Sequence, residues 1–253
     1  MLKKLNSIVI TGGSSGIGNE IILFYLKKNF QIINLDIVKP KIKSKNLIFY
    51  KCDLSKINKV KQTINKIFKS NNEICCLINN SRLKTKSKFL EENDKQWQKV
   101  INVNLTSHFL ITQEIIKKNK IKNKLTVINI SSVAASLVTK EDCSYHCSKS
   151  GLEQMGRYFA YNALKNNVNV YNIRLGLVMQ KRHEKIFFNK KNSSYRLKAY
   201  HYQNCDKILK VENLADFIYF LINIKNNFLN GNTFILDNGA ILTEPFSLIT
   251  KLK

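Results

Sequence analysis

The chain alternates seven short apolar runs with five longer segments that carry apolar residues at three- and four-residue spacing. The short runs are rich in Ile and Val and are bounded by polar residues, which is typical of buried parallel strands. They occupy residues 7–11, 31–36, 46–51, 74–79, 125–131, 168–173 and 232–237. The longer segments, which predict helices, are 17–28, 55–69, 94–119, 145–165 and 211–224, and Asp94 is the expected N-cap of the third. This alternation predicts one α/β domain over residues 1–253, a Rossmann-type doubly wound parallel sheet of about seven strands with helices on both faces.

Composition narrows the class of protein. No run of eighteen apolar residues exists, so we expect no membrane span, and we expect a cytoplasmic protein. The net charge is +25, but only five of the 42 basic residues are arginine, and the chain is also crowded with Asn and Ile. Lys, Asn and Ile share A/T-rich codons, so we expect no specific nucleic-acid partner. The cysteines and histidines show no metal-ligand spacing, so we expect no metal.

The stretch "TGGSSGIG", residues 11–18, follows the first predicted strand and opens the first predicted helix. That context is the one in which such a turn binds a dinucleotide. Gly12 permits the tight turn, Gly16 the approach of a pyrophosphate, and Gly18 close packing of helix and strand. The helix N-terminus near Ile17 offers amide donors to the phosphates. The predicted contacts within this turn are Gly12, Ser14, Ser15, Gly16, Ile17 and Gly18.

The end of the second predicted strand bears on the choice of cofactor. Asp36 lies there, eighteen residues past Gly18, where a carboxylate can bind the ribose hydroxyls of NAD and repel the extra phosphate of NADP. The basic run 39–45 follows and could soften this discrimination, so NAD(H) is favoured and NADP(H) stays possible. Asp53, with Leu54 beside it, ends the third strand and could accept a hydrogen bond from adenine.

Tyr145 and Lys149 are spaced one helical turn apart and therefore share a helix face. An ammonium and an oxidised nicotinamide ring both favour the phenolate, so the pKa of Tyr145 should fall and its phenol could exchange a proton near neutral pH. Taken alone, this spacing is a weak signal, because most such pairs are solvated helix residues.

Ser132 is the last residue of "NISS", and Asn104 of "NVNLTS" is expected at the start of a helix. Together these motifs resemble the short-chain dehydrogenase/reductase family over residues 7–239. The resemblance implies that Tyr145 is the catalytic acid/base, that Lys149 lowers its pKa and binds the nicotinamide ribose, and that Ser132 polarises a substrate carbonyl. It also implies that Asn104 holds a water against Lys149. Further cofactor contacts implied by the family are Asn80, Ser81, Gly176 and Val178, besides Tyr145 and Lys149.

Three positions depart from the family pattern. Arg82 replaces a glycine near the nicotinamide, so we expect it to need a permissive backbone and to reach substrate or cofactor. Leu175 replaces a proline before Gly176. Gln180 replaces a threonine that contacts the carboxamide and can still form a hydrogen bond there.

The segment 181–210 is expected to cover the substrate, and it is basic, as is 82–88. Both should lie at one sheet edge, which favours an anionic carbonyl or alcohol substrate contacting Ser132, Arg82 and Arg182. The equally basic run 117–124 should lie at the opposite edge, so codon bias could explain all three. By resemblance we expect a homotetramer or homodimer. The alternatives are a 3-oxoacyl-carrier-protein-type reductase of the same family and a non-catalytic dinucleotide-binding sensor.

Overall fold

The structure is a computed structural model that describes residues 6–69, 73–85, 87–118, 124–202, 207–242 and 244. Several features named above extend beyond these ranges. They are residue 86 of the basic run 82–88, residue 119 of the predicted helix 94–119, residues 119–123 of the basic run 117–124, and residues 203–206 of the segment 181–210.

A parallel sheet forms the centre of the fold. The strands are β1 (Ser7–Thr11), β2 (Gln31–Asp36), β3 (Leu47–Lys51), β4 (Ile74–Asn79), β5 (Leu125–Ser132), β6 (Val168–Leu175), β7 (Val178–Met179), β8 (Leu209–Lys210) and β9 (Thr233–Leu236). Seven of them pair in the order β3-β2-β1-β4-β5-β6-β9, while β7 and β8 form a separate pair. β1 lies between β2 and β4, so successive strands are added on one side of β1 first and on its other side afterwards. Ligands of doubly wound sheets bind in the crevice at the point where the strand order reverses in this way.

Helices cover both faces of this sheet. They are α1 (Gly16–Lys27), α2 (Ile57–Lys69), α3 (Asp94–Ile101), α4 (Ser107–Lys118), α5 (Cys143–Asn162), α6 (Lys181–Phe187), α7 (Ser193–Tyr202) and α8 (Val211–Asn223). One apolar core lies under α2, α4 and α5. The other lies under α1 and α8. The predicted fold class is therefore confirmed. Within the described ranges, no helix combines the length and the apolar character needed to cross a bilayer.

The predicted helix 94–119 differs from the expectation in two ways. A π-helical turn over Asn102–Thr106 separates α3 from α4, and Asn104 lies in this turn rather than at a helix start. The N-cap is Asn93, not Asp94: the Asn93 side chain accepts from the Gln96 amide, and the Gln96 side chain accepts from the Asn93 amide. A π turn widens the helix by one residue and is often found at functional sites.

Three buried asparagines connect the central strands side by side. Asn79 donates to Asn129 at 2.9 Å, Asn129 donates to Asn172 at 3.0 Å, and Asn172 donates to the Glu153 carbonyl at 3.1 Å. Gly156 of α5 packs on this row, because a Cβ there would lie 2.2 Å from the Asn172 amide oxygen. The close approach fixes α5 against the sheet and so fixes the depth of its N-terminal side chains.

Candidate active site

A cleft of about 960 Å³ opens at the carboxyl ends of the strands. Of all the site residues predicted from the sequence, only Asn104 does not line it. The lining residues that were predicted are Gly12, Ser14, Ser15, Gly16, Ile17, Gly18, Asp36, Asp53, Leu54, Asn80, Ser81, Arg82, Ser132, Tyr145, Lys149, Gly176, Val178, Gln180 and Arg182. The fold thus brings the glycine-rich turn and the tyrosine–lysine pair into one crevice. No cluster of three or more metal-ligating side chains occurs among the described residues.

The glycine-rich turn has the geometry of a phosphate cradle. Gly12 and Gly16 have φ of +68° and +56°, a region that favours glycine. A Cβ on Gly18 would lie 2.4 Å from the Gly12 carbonyl oxygen, so helix and strand approach more closely than any side chain allows. The first turn of α1 has neither an acidic residue nor a side-chain cap. Its amides are therefore available to an anion, which fits a pyrophosphate.

Asp36 ends β2, lines the cleft and also holds the glycine-rich turn together. Its carboxylate accepts from the Ser14 amide at 2.9 Å and from the Val38 amide at 3.2 Å. The Ser14 hydroxyl donates to the Val38 carbonyl. Asp36 thus has a structural role beside any contact with ribose. Asp53 accepts from the Ser55 amide and hydroxyl at 3.0 and 2.7 Å.

Tyr145 and Lys149 are both almost fully buried at the foot of the cleft. Burial acts to raise the pKa of Tyr145, but the positive charges of Lys149, Arg82 and Lys84 outweigh it, so the pKa lies below its ordinary value. The Lys84 and Lys149 ammonium nitrogens lie 4.9 and 5.8 Å from the centre of the Tyr145 ring. Three cations therefore surround one phenol.

Lys149 is held by the sheet. Its ammonium donates to the Ile130 carbonyl at 2.7 Å. Burial lowers the pKa of Lys149, and the neighbouring Tyr145 acts in the opposite direction. The contact with β5 fixes the height of the ammonium beside the phenol.

Asn104 lies behind the cleft rather than in its wall. Its amide oxygen accepts from the Leu83 amide at 2.7 Å, and its amide nitrogen donates to the Leu83 carbonyl at 3.0 Å and to the Ser148 hydroxyl at 3.1 Å. The side chain therefore joins the segment after β4 to α5. The water-holding role implied by the family stays a prediction.

His108 is a site residue that the sequence reasoning missed. Burial is the main cause that lowers its pKa to about 3, so the ring is neutral. Nδ1 lies 2.9 Å from the Asn104 carbonyl, which can only accept, so Nδ1 carries the proton. Nε2 then accepts from the hydroxyls of Ser81 at 3.0 Å and Thr11 at 3.3 Å. The sequence does carry one signal for His108, because it is a polar residue at a position that faces the core on a predicted helix.

Ser132 ends β5, and its hydroxyl accepts from the Ala134 amide at 3.3 Å. Directly before it, the Ser131 hydroxyl donates to Glu153 at 2.7 Å. Glu153 is buried and is paired with Arg174 of β6 through two hydrogen bonds of 3.0 and 2.6 Å. This buried ion pair clamps α5 to β5 and β6 next to the proposed catalytic serine.

Arg82 lines the cleft, but the expectation of a permissive backbone was wrong. Its φ is not positive, in contrast to Leu90 farther along the same segment. An arginine therefore replaces the family's glycine here without strain. Arg82 is exposed, and its positive charge lowers the pKa of Tyr145.

Gln180 lies in the wall of the cleft, and its predicted contact with the carboxamide stays a prediction. Its side chain is buried over the glycine-rich turn, with the amide oxygen 3.1 Å from where a Cβ of Gly16 would be. Among the described residues, nothing donates to this oxygen. A buried acceptor without a donor fits a bound group that carries N–H or O–H donors. Arg182 also lies beside Gly16, with a guanidinium nitrogen 3.7 Å from where a Cβ of that glycine would be.

The segment 181–210 forms α6, a short 3-10 turn and α7, and β8 ends it. Only Arg182 and His183 of its described residues line the main cleft. Beneath α6 lies a second cavity of about 310 Å³ with apolar walls, formed by Leu177, Val178, Met179, His183, Ile186, Phe187, Asn192 and Tyr195. Of the two basic segments expected to meet at the cleft, 82–88 contributes Arg82 and Lys84 to its lining, and 181–210 contributes Arg182.

Comparisons with known proteins agree with this geometry. The chain is 27% identical over 245 residues to a 3-oxoacyl-[acyl-carrier-protein] reductase of Buchnera aphidicola subsp. Acyrthosiphon pisum, covering 92% of this chain and 96% of that protein. It resembles the solved structure of 4-hydroxyisoleucine dehydrogenase with NADH, at a TM-score of 0.85 and 26% identity, covering 94% of this chain and 100% of the other. A second structure of that name, with NADH and succinate, has a TM-score of 0.82 and 25% identity over 93% and 100% of the two chains.

The family profile described as short chain dehydrogenase matches residues 6–190. That match takes in the glycine-rich turn, Asn104, Ser132, Tyr145 and Lys149. A nicotinamide-dependent oxidoreductase is the class that the family, its relatives and the cleft have in common. This chain belongs to the short-chain dehydrogenase family.

Proposed function

We propose that this protein transfers a hydride between NAD(H) and a carbonyl or alcohol substrate, with Tyr145 as the acid/base. The observation that carries the proposal is the placement of Lys149, Arg82 and Lys84 around the Tyr145 phenol, in the cleft that the glycine-rich turn closes. Such a cluster has no evident role in stability, because it gathers like charges at a buried phenol.

The protein residues bind, orient and move one proton. A bound nicotinamide supplies the hydride or accepts it. In the reducing direction, the Tyr145 hydroxyl gives its proton to the substrate oxygen as the carbonyl carbon becomes an alcohol carbon. Lys149 and Arg82 stabilise the phenolate that remains, and solvent returns the proton. The Ser132 hydroxyl donates to the same substrate oxygen and fixes its position.

The remaining groups serve the cofactor. The glycine-rich turn and Arg182 hold the pyrophosphate, the Gln180 amide oxygen accepts from the carboxamide of the nicotinamide, and Lys149 binds the nicotinamide ribose. Asp36 favours NAD(H), since its carboxylate would repel the additional phosphate of NADP(H). The solved relatives that contain NADH support this assignment. Calorimetric titration with NADH and with NADPH tests it, and tighter binding of NADPH would overturn it.

A 3-oxoacyl-carrier-protein-type reductase is the second candidate, and the Buchnera relative favours it. A preference for NADPH together with turnover of a 3-oxoacyl thioester would establish it over the first proposal. The third candidate, a dinucleotide-binding sensor without turnover, would show tight NADH binding and no hydride transfer to any carbonyl compound.

The test of the proposed activity compares two tyrosines of one helix. We expect Tyr145→Phe to abolish oxidation of NADH by carbonyl substrates while NADH still binds. Tyr161→Phe is the matched control, because that side chain is 86% exposed on α5. Undiminished turnover by Tyr145→Phe would refute the assigned proton donor.

The cytoplasmic location and the homotetramer or homodimer stay predictions. Exposed apolar side chains on α5, among them Tyr158 and Tyr161, support an assembly through this helix. Light scattering on the purified protein tests it, and a monomer at micromolar concentration would contradict it.

A further inference from the structure

Arg82 is a cation without a carboxylate partner among the described residues, although it stands at the centre of the site. The arginine of the buried pair, Arg174, has Glu153, and Lys84 has Glu141. Arg82 has no such carboxylate, and it lines the same cleft as Tyr145. A guanidinium presents a planar fork of donors that matches a carboxylate.

The charges facing this point favour an anion. Arg82, Lys84 and Lys149 all lie close enough to Tyr145 to lower its pKa against the opposing effect of burial. Glu141 is the carboxylate beside them, and it is engaged by Lys84. A cleft lined by excess positive charge with partly buried walls attracts an anionic ligand.

The segment that carries Arg82 is fastened to the start of α5. The Thr85 hydroxyl donates to the Asp142 carboxylate, and the Ser87 amide donates to it at 3.0 Å. Farther along, Glu92 accepts from the amide and hydroxyl of Ser144. These contacts fix the base of Arg82 relative to Tyr145, so little ordering remains to be done when a ligand binds.

We propose that Arg82 binds a carboxylate of the substrate, and that the substrate is a short oxo acid or hydroxy acid. The lining of the cleft sets the spacing, because Arg82, Ser132 and Tyr145 all face the same space. A carboxylate one or two carbons from the reacting carbon lets one small substrate contact Arg82 while its reacting oxygen lies at Tyr145 and Ser132.

This assignment deepens the proposed function and rests on it for the identity of the reacting oxygen. When substrate binds, the Arg82 guanidinium pairs with the substrate carboxylate. The carboxylate is chemically unchanged through the reaction. The carbonyl carbon gains the hydride from the reduced nicotinamide, and its oxygen gains the proton from Tyr145, so the product is the corresponding hydroxy acid.

The test measures binding heat rather than turnover. The enzyme saturated with NADH is titrated with lactate and 3-hydroxybutanoate, and with the two matching amides, lactamide and 3-hydroxybutanamide. Hydroxy compounds cannot be reduced further, so no reaction occurs in this complex. We expect at least one acid to bind about tenfold or more tightly than its amide, because a charge-assisted pair exceeds a neutral contact by that much.

Two substitutions and one control locate the preference. Arg82→Gln should remove the difference between acid and amide, and Arg82→Lys should keep part of it, because the charge remains and the fork is lost. Lys88→Gln, which removes one exposed positive charge from the same segment, should leave the preference as in the wild type. Equal affinity for acid and amide, no binding of either acid, or an undiminished preference in Arg82→Gln would each overturn the assignment.

The outcome is separable from that of the proposed function. If Tyr145→Phe still turned over carbonyl compounds, the acid/base assignment would fail, yet an Arg82-dependent preference for acids would remain visible as heat. If hydride transfer depends on Tyr145 but the acids bind no better than the amides, only the substrate class proposed here is wrong.

Discussion

The buried pair Glu153–Arg174 gives the sharpest prediction about stability, through the substitution Arg174→Met. Glu153 has a side chain only 3% exposed, and its carboxylate accepts three hydrogen bonds, one from Ser131 and two from Arg174. The substitution leaves the charged carboxylate buried with a single donor.

The magnitude follows from the hydrogen bonds that are lost. Each hydrogen bond to a charged group contributes about 1.5–3 kcal/mol, and two are removed, which matches the roughly 3–5 kcal/mol lost when one partner of a buried ion pair is deleted. We expect Arg174→Met to lower the free energy of unfolding by about 3–5 kcal/mol. The double variant Glu153→Gln/Arg174→Met should recover a large part, because the uncompensated charge is gone.

Urea unfolding followed by circular dichroism measures these free energies at pH 7. A loss below about 1 kcal/mol in Arg174→Met, the level expected of an exposed pair, would refute the reasoning. So would a double variant whose loss equals the sum of the two single losses, since residues in one network should not act additively.

Three further predictions follow from the site. Gly18→Ala should weaken NADH binding and lower the free energy of unfolding by about 1–3 kcal/mol, because the new Cβ would lie 2.4 Å from the Gly12 backbone. Gly151→Ala is the control: its new Cβ would contact only the flexible end of the Leu105 side chain, so this variant should bind NADH normally. His108 has a folded-state pKa of about 3, below its unfolded value near 6.5, so the free energy of unfolding falls as the pH drops through that window. The expected fall is about 2 kcal/mol between pH 6.5 and 5. In urea unfolding, His108→Gln should lose less stability over the same range, and an equal loss would exclude this cause. Asp36→Ser should raise affinity for NADPH relative to NADH in calorimetric titrations, and an unchanged ratio would show that Asp36 does not select the cofactor.

Local pattern predicted most of the fold. Apolar runs and amphipathic spacing located the strands β1 to β6 and β9 and their helices, because buried parallel strands and one-sided helices leave a direct mark on sequence. The glycine-rich turn, Tyr145 and Lys149 were equally visible, since their chemistry depends on short spacings within one element.

What the sequence did not disclose depends on contacts between distant elements. The π turn around Asn104 is stabilised by contacts with Leu83 and Ser148, which lie 21 and 44 residues away. The neutral His108 is defined by Thr11 and Ser81, from two other strand ends. Lys84 appeared only as one of several lysines, and its position over the Tyr145 ring follows from the fastening of its segment to α5.

The helix cap shows a smaller error of the same kind. Asn93 and Asp94 are both good capping residues by type, and sequence alone favoured the second. The reciprocal hydrogen bonds with Gln96 place the cap at Asn93, because only a residue three positions before Gln96 can complete that box.

Ionisation of Tyr145 is the central claim, and it can be measured without knowing the substrate. The difference in tyrosinate absorbance between the wild type and Tyr145→Phe, followed from pH 6 to 11, isolates this one phenol. We predict a midpoint below the ordinary tyrosine value of about 10, and a higher midpoint in a Lys149→Met background, since Lys149 is the strongest of the lowering charges. A midpoint at or above 10 in the otherwise unaltered protein would contradict the account.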